Sequence, residues 1–469
     1  MNGRSATGPQ HGAAAPVAVI GAGWAGSAAA WDLARRGASV TVYEQARAPG
    51  GRARRVLVDG VALDNGQHLL VGAYRASLRL IDAVHRAALR AADRPYTRLP
   101  LTLQPWGRQP GALRLTAWRA PAPLHLVGAL LGARGMRPGT RVALASRLLH
   151  LQRHPEAVPP GATVARWFGE MPKEAFDGLL APLCVSALNT LPEEASARVF
   201  AHVLAAALGG ARGNSDFIVP AVDLTALLPE PALREVVAQG GALRLGTAAR
   251  VTAAGPDGVE VEANGQTRTY AAAILAVGPH QLEDALGRAL AARPPCRGAL
   301  AATAGFSYEP IVTVYLAFAG PVHTQVPILR LDDRPGQWLF ARRTNPASLR
   351  PLGATSMLAV VISARGVHRR LAREELAAAV AAQLRRLEPG LPALAWSHVI
   401  TERRATYACR PELSHAAAGA LLPGLYLAGD YLDPGLPATL ESAVRSGLAA
   451  AAALQAWLAT PPWAARGAG

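Results

Sequence analysis

A turn built from three glycines constrains this chain more than any other feature. Gly21, Gly23 and Gly26 form the spacing G-x-G-x-x-G. They directly follow the apolar run 17–20, and residues 25–34 favour a helix. The first glycine permits a tight turn, the second lets a pyrophosphate approach the backbone, and the third lets the helix pack closely on the strand. The sequence therefore predicts a strand–turn–helix unit that binds a dinucleotide.

An acidic residue ends the next expected strand. Glu44 closes the β-branched run 39–44, about 20 residues beyond the glycine turn, where a carboxylate accepts hydrogen bonds from a nucleotide ribose. A strand before the turn, a helix after it and an acid at this distance favour a dinucleotide site over an ordinary glycine-rich turn. This segment is therefore predicted to be a parallel α/β unit.

The composition is typical of a large globular protein and argues against one class of partner, nucleic acids. The 469 residues are 51% hydrophobic and 17% charged, which is enough apolar material for a sizeable core. The formal net charge is +16, and because Lys173 is the one lysine, nearly all of the excess is arginine. Aromatic residues make up 5%, and basic clusters with interleaved aromatics are missing from the sequence. We therefore expect no nucleic-acid partner.

The cysteines indicate a reducing compartment and no metal site. Cys184, Cys296 and Cys409 are an odd number without C-x-x-C spacing, so they support neither a disulfide framework nor a zinc site. Residues 1–15 lack the apolar stretch of a signal peptide and are expected to form a disordered tail. No stretch reaches the roughly eighteen apolar residues that a membrane-spanning helix needs. We expect a cytoplasmic protein that does not span a membrane.

Two downstream segments complete the nucleotide-binding pattern. The string Gly-Gly-Arg ends at Arg52, and a short strand ends in Gly429-Asp430. Both resemble signatures of the glutathione-reductase-like flavoproteins, in the branch that contains amine oxidases and carotenoid desaturases. The resemblance implies noncovalent FAD, with Asp430 at its ribityl and pyrophosphate region. It also implies that helix 440–458 directs its N-terminus, which carries partial positive charge, at the flavin N1 and O2 edge.

The resemblance also implies how the chain is organised. The expected fold class is α/β, a glutathione-reductase-like FAD-binding Rossmann domain with an interleaved α+β substrate domain. The FAD-binding domain would be discontinuous, over 16–75, 221–290 and 420–458, and the substrate domain would occupy 76–220 and 291–419. The residues expected to contact FAD are Gly21, Gly23, Gly26, Glu44, Gly51, Arg52, Val251, Gly429, Asp430, Pro437, Ala438 and Thr439.

Hydrophobic patterns predict the main elements after the glycine turn. The strands expected to return to the nucleotide domain are 242–251, 258–263, 267–270 and 273–277. The strands expected in an antiparallel sheet of the substrate domain are 311–318, 337–340, 357–362 and 396–401. Long helices are expected over 373–387 and 440–458.

Four strings narrow the resemblance further. They are 64–74, which contains Asn-Gly-Gln-His; 182–190, which ends in Ala-Leu-Asn-Thr; 220–224; and 429–447. These strings resemble the hydroxysqualene dehydroxylases, the squalene-associated flavoproteins of bacterial hopanoid pathways. The resemblance implies reductive removal of the hydroxyl of hydroxysqualene to yield squalene, with reduced FAD as the hydride donor.

Three other functions are weighed against this one. A carotenoid desaturase of the phytoene type shares the framework but runs in the opposite direction, because it removes hydride from a saturated bond. Prenylated-GTPase chaperones use the same architecture to bind isoprenoids without flavin, and the intact set of flavin motifs argues against that alternative. Amine oxidases of this fold usually set a lysine beside the flavin. Because Lys173 has the surroundings of a solvated helix start, an amine-oxidase mechanism is disfavoured.

The departing hydroxyl needs a proton donor. His68 is the first candidate, because histidine titrates near neutral pH; it could equally contact flavin phosphate or backbone, or be a core histidine. Asp433 is the second candidate, although a turn-capping role accounts for it as well. The aromatic faces of Tyr74 or Trp338 could stabilise an allylic cation.

The substrate suggests a membrane surface. Segment 121–153 combines apolar and basic side chains and is the candidate for peripheral attachment to the inner face of the cell membrane. The residues proposed for this face are Leu124, Leu126, Val127, Leu130 and Leu131, with Arg119, Arg134, Arg137, Arg141 and Arg147. The alternative is an ordinary helix pair in the core of the substrate domain. The electron donor is not identified by the sequence.

Overall fold

A computed structural model describes residues 15–86, 94–342 and 345–460. The predicted tail 1–15 lies almost wholly outside them.

The strands of the described residues are β1 Pro16–Ile20, β2 Ser39–Glu44, β3 Arg55–Val58, β4 Val61–Asp64, β5 Leu70–Val71, β6 Tyr96–Leu99, β7 Thr102–Leu103, β8 Leu115–Thr116, β9 Phe217–Pro220, β10 Ala242–Leu245, β11 Ala249–Gly255, β12 Gly258–Ala263, β13 Gln266–Tyr270, β14 Ala272–Leu275, β15 Tyr308–Phe318, β16 Ile328–Arg330, β17 Trp338–Ala341, β18 Ser356–Ser363, β19 Leu394–Tyr407, β20 Gly419–Leu422 and β21 Leu425–Leu427. The α-helices of the same residues are α1 Trp24–Arg35, α2 Arg75–Val84, α3 Leu124–Leu131, α4 Pro138–Arg153, α5 Val164–Phe168, α6 Lys173–Ala175, α7 Ala181–Leu188, α8 Ala197–Leu208, α9 Leu224–Leu227, α10 Pro229–Ala238, α11 Leu282–Ala285, α12 Arg288–Ala291, α13 Pro294–Ala304, α14 Arg373–Leu387 and α15 Leu440–Leu458.

Three separate stretches of the chain build a six-stranded sheet in the order β10-β2-β1-β14-β21-β20. All neighbours pair in parallel except β20, which runs antiparallel to β21. Parallel neighbours require crossover connections, and here α1 provides the one between β1 and β2. The α/β class predicted from the sequence is confirmed. The domain boundaries stay a prediction.

Helices α1 and α15 cross closely beside this sheet. A Cβ on Gly447 of α15 would lie 2.1 Å from the Ala25 carbonyl oxygen of α1, so only glycine allows the contact. Each helix follows a parallel strand, β1 for α1 and β21 for α15. Their N-termini therefore both lie at the carboxyl edge of the sheet, where ligands of such folds bind.

The strand predicted over 242–251 is wrong as a single element. The structure divides it into β10, the edge strand of the six-stranded sheet, and β11, which opens the antiparallel sheet β11-β12-β13. Gly246 has φ +66° at the break, and Thr247 N–H donates to the Glu44 carbonyl at 2.8 Å. A left-handed residue ends the extended run at this position, which apolar periodicity does not reveal.

A second large sheet has the order β16-β17-β18-β15-β19 and is antiparallel throughout. One face packs on the predicted helix α14, through side chains such as Val314 and Val380. The opposite face carries Tyr315 and Phe340 and packs against α3, α4 and α8. The predicted strands of this sheet are confirmed, and β19 extends to Tyr407.

The segment 121–153 forms α3 and α4. Leu126 and Leu130, two residues of the proposed membrane face, are 7% and 5% exposed and belong to the core. That part of the prediction is wrong, because apolar content alone does not say which helix face is covered. Leu124 and Leu131 are exposed. In the described part of the chain, no helix has the length and apolar character to cross a membrane.

Candidate active site

The glycine turn has the geometry that a pyrophosphate needs. Gly21 has φ +105°, and a Cβ there would lie 2.5 Å from the Ala276 carbonyl oxygen. A Cβ on Gly26 would lie 1.9 Å from the Gly21 carbonyl oxygen. The neighbour nearest to a Cβ on Gly23 would be Gly51 Cα at 3.8 Å, so the outer side of this residue is open. The turn is therefore a cradle that fits a phosphate group beside the first turn of α1.

The carboxylate of Glu44 holds the glycine turn in place through two hydrogen bonds. Its Oε2 accepts the Ala22 N–H and its Oε1 accepts the Ala46 N–H, both at 2.8 Å. A carboxylate offers about four acceptor sites, so these two bonds leave capacity for ribose hydroxyls. The side chain thus fits the role predicted for it and also holds the glycine turn in shape.

Arg52 and Asp430, which are 378 positions apart, form an ion pair. Arg52 Nη2 donates to both carboxylate oxygens at 2.7 Å, and Nη1 donates to the Ala405 carbonyl at 2.9 Å. Burial opposes the charge of Arg52, but Asp430 and Glu402 prevail and raise the pKa of its guanidinium. The structure therefore places a fixed cation and its counter-charge beside the cradle, since Gly51 adjoins Gly23.

The N-terminus of α15 is capped by its own side chains. Thr439 Oγ1 accepts the Ser442 N–H at 3.1 Å, and Ser442 Oγ accepts the Thr439 N–H at 2.9 Å. Ser442 Oγ also bonds the Pro437 carbonyl at 2.9 Å, which fixes Pro437 and Ala438 ahead of the helix. This reciprocal capping holds the positive end of the helix at the carboxyl edge of the sheet.

The same helix ties two further parts of the site together. Ser446 Oγ accepts the Gly429 N–H at 2.8 Å, which holds the strand end before Asp430. The carboxylate of Glu441 accepts the N–H groups of Ala76 and Ser77, both at 2.9 Å, and so caps α2. Sequence reasoning missed Glu441, whose partners lie more than 300 positions away.

Val251 is enclosed by protein. Its side chain is 0% exposed in a cluster with Val259 and Leu275, and its carbonyl accepts the Gly287 N–H at 2.7 Å. Its side chain is therefore not available to a cofactor, and its contact with FAD stays a prediction.

His68 has a defined tautomer. Its Nδ1 lies 2.7 Å from the Gly66 carbonyl oxygen, so Nδ1 carries the hydrogen and Nε2 presents a lone pair when the ring is neutral. Burial lowers the pKa of His68, against the opposing effects of this hydrogen bond and of Asp64. The ring is therefore neutral at pH 7, and any acid role requires protonation at Nε2.

Asp433 sits in a turn. Its Oδ1 accepts the Gly435 N–H at 2.9 Å, and its Oδ2 lies 3.6 Å from Arg445 Nη2. These contacts show that the side chain of Asp433 caps the turn. Its catalytic role stays a prediction.

A buried polar network lies directly before His68. Arg342 Nη1 donates to Asp64 Oδ2 and to Gln67 Oε1, both at 3.2 Å. Asp64 also accepts the Leu224 N–H at 2.8 Å, and Tyr315 OH donates to the Asp64 carbonyl at 2.9 Å. Burial raises the pKa of Asp64, although Arg342 opposes it. The sequence analysis included Asp64 in the string 64–74 but missed Arg342, which no local motif marks.

The string 182–190 has a structural role. Asn189, with φ +47°, ends α7. Its Nδ2 donates to the carbonyls of Glu309 and Pro310 and to Thr406 Oγ1, while its Oδ1 accepts the Ala364 N–H at 2.6 Å. Asn189 thus joins α7 to strands β15 and β19.

The two aromatic candidates have polar partners. Tyr74 precedes α2 and is partly buried; desolvation raises its pKa to about 12, and its hydroxyl interacts with Thr439. Trp338 Nε1 donates to Ser186 Oγ at 2.7 Å, and the Arg330 guanidinium lies 5.3 Å from its ring centroid. Because that face already carries a cation, Trp338 is poorly placed to stabilise a second one. Trp338 also lines a cavity of about 150 Å³ between the second sheet and α7.

The single lysine lies away from these groups. Lys173 is 89% exposed and pairs with Asp177 one turn later in the chain. A lysine on the surface does not reach a buried flavin, which agrees with the sequence argument against amine oxidation.

Comparison with known proteins gives a consistent result. A family model described as "Flavin containing amine oxidoreductase" matches residues 24–455. Hydroxysqualene dehydroxylase of Rhodopseudomonas palustris is 30% identical over 93% of this chain and 97% of that protein. The hydroxysqualene dehydroxylase of Sinorhizobium fredii is 27% identical over the same shares. The resemblance identified from local strings is confirmed.

Two further relatives share less with this chain. Hydroxyneurosporene desaturase of Rubrivivax gelatinosus is 36% identical, but over 23% of this chain and 18% of that protein. The solved structure of cyclohexylamine oxidase from Brevibacterium oxydans superposes with a TM-score of 0.69, at 18% identity, over 95% of this chain and 100% of that one. At this identity the likeness concerns the fold, which is that of an FAD-binding α/β enzyme.

Proposed function

Because the chain belongs to the flavin-containing amine oxidoreductase family, we propose that it removes the hydroxyl of hydroxysqualene reductively, with FAD as cofactor, to give squalene. One observation carries this proposal: the likeness to hydroxysqualene dehydroxylases extends over 93% of the chain. The likeness to the hydroxyneurosporene desaturase covers 23%. The exposed position of Lys173 further separates this chain from amine oxidation.

In the proposed reaction the allylic C–O bond breaks, a C–H bond forms and the hydroxyl leaves as water. Reduced FAD, when bound, supplies the hydride. The cradle at Gly23, the Arg52–Asp430 pair and the end of α15 hold and orient it. The chain must also supply a proton to the hydroxyl. We assign that proton to Nε2 of His68, because Nδ1 is already committed to the Gly66 carbonyl.

The reaction is tested anaerobically by mass spectrometry of extracts. Dithionite-reduced protein is mixed with hydroxysqualene, and oxidised protein is mixed with phytoene. We expect squalene in the first mixture and no desaturated product in the second. The reverse pattern would make the protein a carotenoid desaturase, and no product in either would remove both assignments.

The role of His68 has its own test. Since burial lowers its pKa, the single-turnover rate is expected to rise as pH falls through the range below 6.5, where the protonated form is populated. His68→Ala is expected to lose most of the rate and this pH dependence. His150→Ala, which changes an exposed histidine of α4, is the control. A full rate in His68→Ala would assign the proton to another group.

We further propose that the protein binds peripherally to the inner face of the cell membrane through an exposed apolar stripe. Trp118, Leu124 and Leu131 are 54%, 59% and 45% exposed. Positions 124, 128 and 131 share one face of α3, and the Trp118 ring lies over Gly128, where a Cβ would be 2.3 Å from the ring. The three side chains therefore form one surface, and the exposed Arg119 beside Trp118 favours anionic headgroups.

Co-sedimentation with vesicles tests this surface. The double variant Leu124→Asp/Leu131→Asp is expected to lose binding to vesicles that contain phosphatidylglycerol. Leu57→Asp, at a leucine that is 75% exposed on β3, is the matched control and is expected to bind as the parent does. Equal binding by all three proteins would contradict the proposal.

A further inference from the structure

Strand β19 carries an irregularity at one position opposite β15. Glu309 pairs with Thr406, but Ile311 pairs with Glu402, so residues 403–405 face Pro310 alone. Proline has no N–H to donate to the ladder, so a bulge opposite proline is the expected response of a sheet. We call residues 403–405 the β19 bulge.

Strand β19 holds the cofactor-binding arginine directly through the bulge and indirectly through Glu402. The Ala405 carbonyl accepts Arg52 Nη1 at 2.9 Å. Glu402, at the base of the bulge, accepts the Arg404 N–H at 3.2 Å and the Asn65 side-chain amide at 2.7 Å. The same amide of Asn65 lies 3.2 Å from the Arg52 carbonyl. Both the main chain and the side chain of Arg52 are therefore held from β19.

The bulge is also braced from the substrate side. Asn189 donates to the carbonyls of Glu309 and Pro310, the β15 residues at the irregular pairing, and to the hydroxyl of Thr406 beyond the bulge. A regular ladder would bond these groups differently. The bulge is thus fixed on one side by Asn189 and on the other by Arg52.

We propose that Glu402, with the β19 bulge, is a positioning device that fixes Arg52 for binding FAD and links that arginine to the sheet of the substrate side. Glu402 acts through Asn65 and does not itself contact the cofactor. The inference rests on the FAD-binding part of the proposed function and is independent of the substrate.

The experiment measures FAD affinity without substrate. Apo-protein is titrated with FAD, and the dissociation constant is read from flavin fluorescence. Glu402→Ala removes the acceptor for Asn65, and FAD binding is expected to weaken about tenfold, the size of one hydrogen bond to a charged group. Glu402→Gln keeps an acceptor oxygen and is expected to restore the affinity to within about threefold of the parent.

Glu262→Ala is the matched control, because it removes a half-exposed carboxylate from β12 that pairs with Arg250. It is expected to leave FAD affinity unchanged. The melting temperature of each apo-protein is measured in parallel. Parental affinity in Glu402→Ala would overturn the proposal. An equal loss of FAD affinity in Glu402→Gln and in Glu402→Ala would also overturn it. A loss of affinity that merely parallels a lower melting temperature of the apo-protein would overturn it as well. Because no substrate is used, failure of squalene formation would leave this result intact.

Discussion

At the scale of single residues, the glycines of the turn separate into two kinds. Gly23 faces open space, whereas a Cβ on Gly26 would lie 1.9 Å from a backbone oxygen. Gly23→Val is therefore expected to fold and to lose FAD, since its side chain would occupy the place of the pyrophosphate. Gly26→Val is expected to lower the melting temperature of the apo-protein itself. Flavin absorbance after purification and thermal melts distinguish the two. A Gly23→Val protein that retains FAD would refute this assignment of the cradle.

Asn189 gives a second prediction at this scale. Asn189→Ala removes bonds to four partners and leaves buried carbonyls unsatisfied, so we expect the free energy of unfolding to fall by about 2–4 kcal/mol. Asn264→Ala is the control, because Asn264 has a similar φ of +51° in an exposed hairpin but lacks this network. Urea denaturation compares them. If both variants lose the same free energy of unfolding, the effect comes from backbone conformation and not from the hydrogen bonds of Asn189.

At the scale of elements, the crossing of α1 and α15 is the contact that sets both helix ends. Gly447→Ala would bring a Cβ to 2.1 Å from the Ala25 carbonyl oxygen, so the helices must separate. We expect a lower melting temperature and weaker FAD retention, because both N-termini move. Gly139→Ala in α4 is the matched control, since its Cβ would meet no atom within 4 Å, and it is expected to stabilise by about 0.5–1 kcal/mol. Unchanged melting and flavin content in Gly447→Ala would contradict the close crossing.

At the scale of the whole molecule, stability is expected to depend on pH through buried histidines. Burial lowers the pKa of three of them: the half-buried His68 and the fully buried His125 and His368. A histidine whose folded-state pKa lies below 6.5 binds protons more readily when unfolded, so its contribution to stability is lost as pH falls through 6.5. We therefore expect the melting temperature to decrease from pH 7.5 to about pH 6.

Two carboxyl groups act in the opposite direction at lower pH. Burial raises the pKa of Asp64 and Glu309, so the folded state binds a proton at these groups more readily than the unfolded state does. Acidification therefore favours the folded state in a pH range that begins above the ordinary pKa values of 3.8 for Asp64 and 4.5 for Glu309. His125→Gln is expected to reduce the loss of melting temperature on acidification. A melting temperature that rises between pH 7.5 and pH 6 would contradict the assignment.

The sequence by itself determined those features that depend only on residues close together in the chain. Turn geometry at Gly21 and Gly23, the apolar run of β1 and the helical period of α15 are local properties, so the nucleotide-binding unit and the last helix follow from the residues alone. The break at Gly246 is also local, but a left-handed glycine inside an apolar run leaves no distinct signal. The flavin motifs were identified by resemblance, and the FAD contacts assigned to their residues stay a prediction.

The tertiary structure alone decided which distant groups meet. Arg52 contacts Asp430 and Ala405 across more than 350 positions, and no periodicity encodes such a pairing. The same holds for Glu402 with Asn65, since a bulge depends on the strand opposite. It also holds for α3, where Leu130 is buried and Leu131 is exposed although both are leucine. Local sequence sets the shape of each element, whereas burial and ion pairing depend on the neighbours that packing brings to its faces.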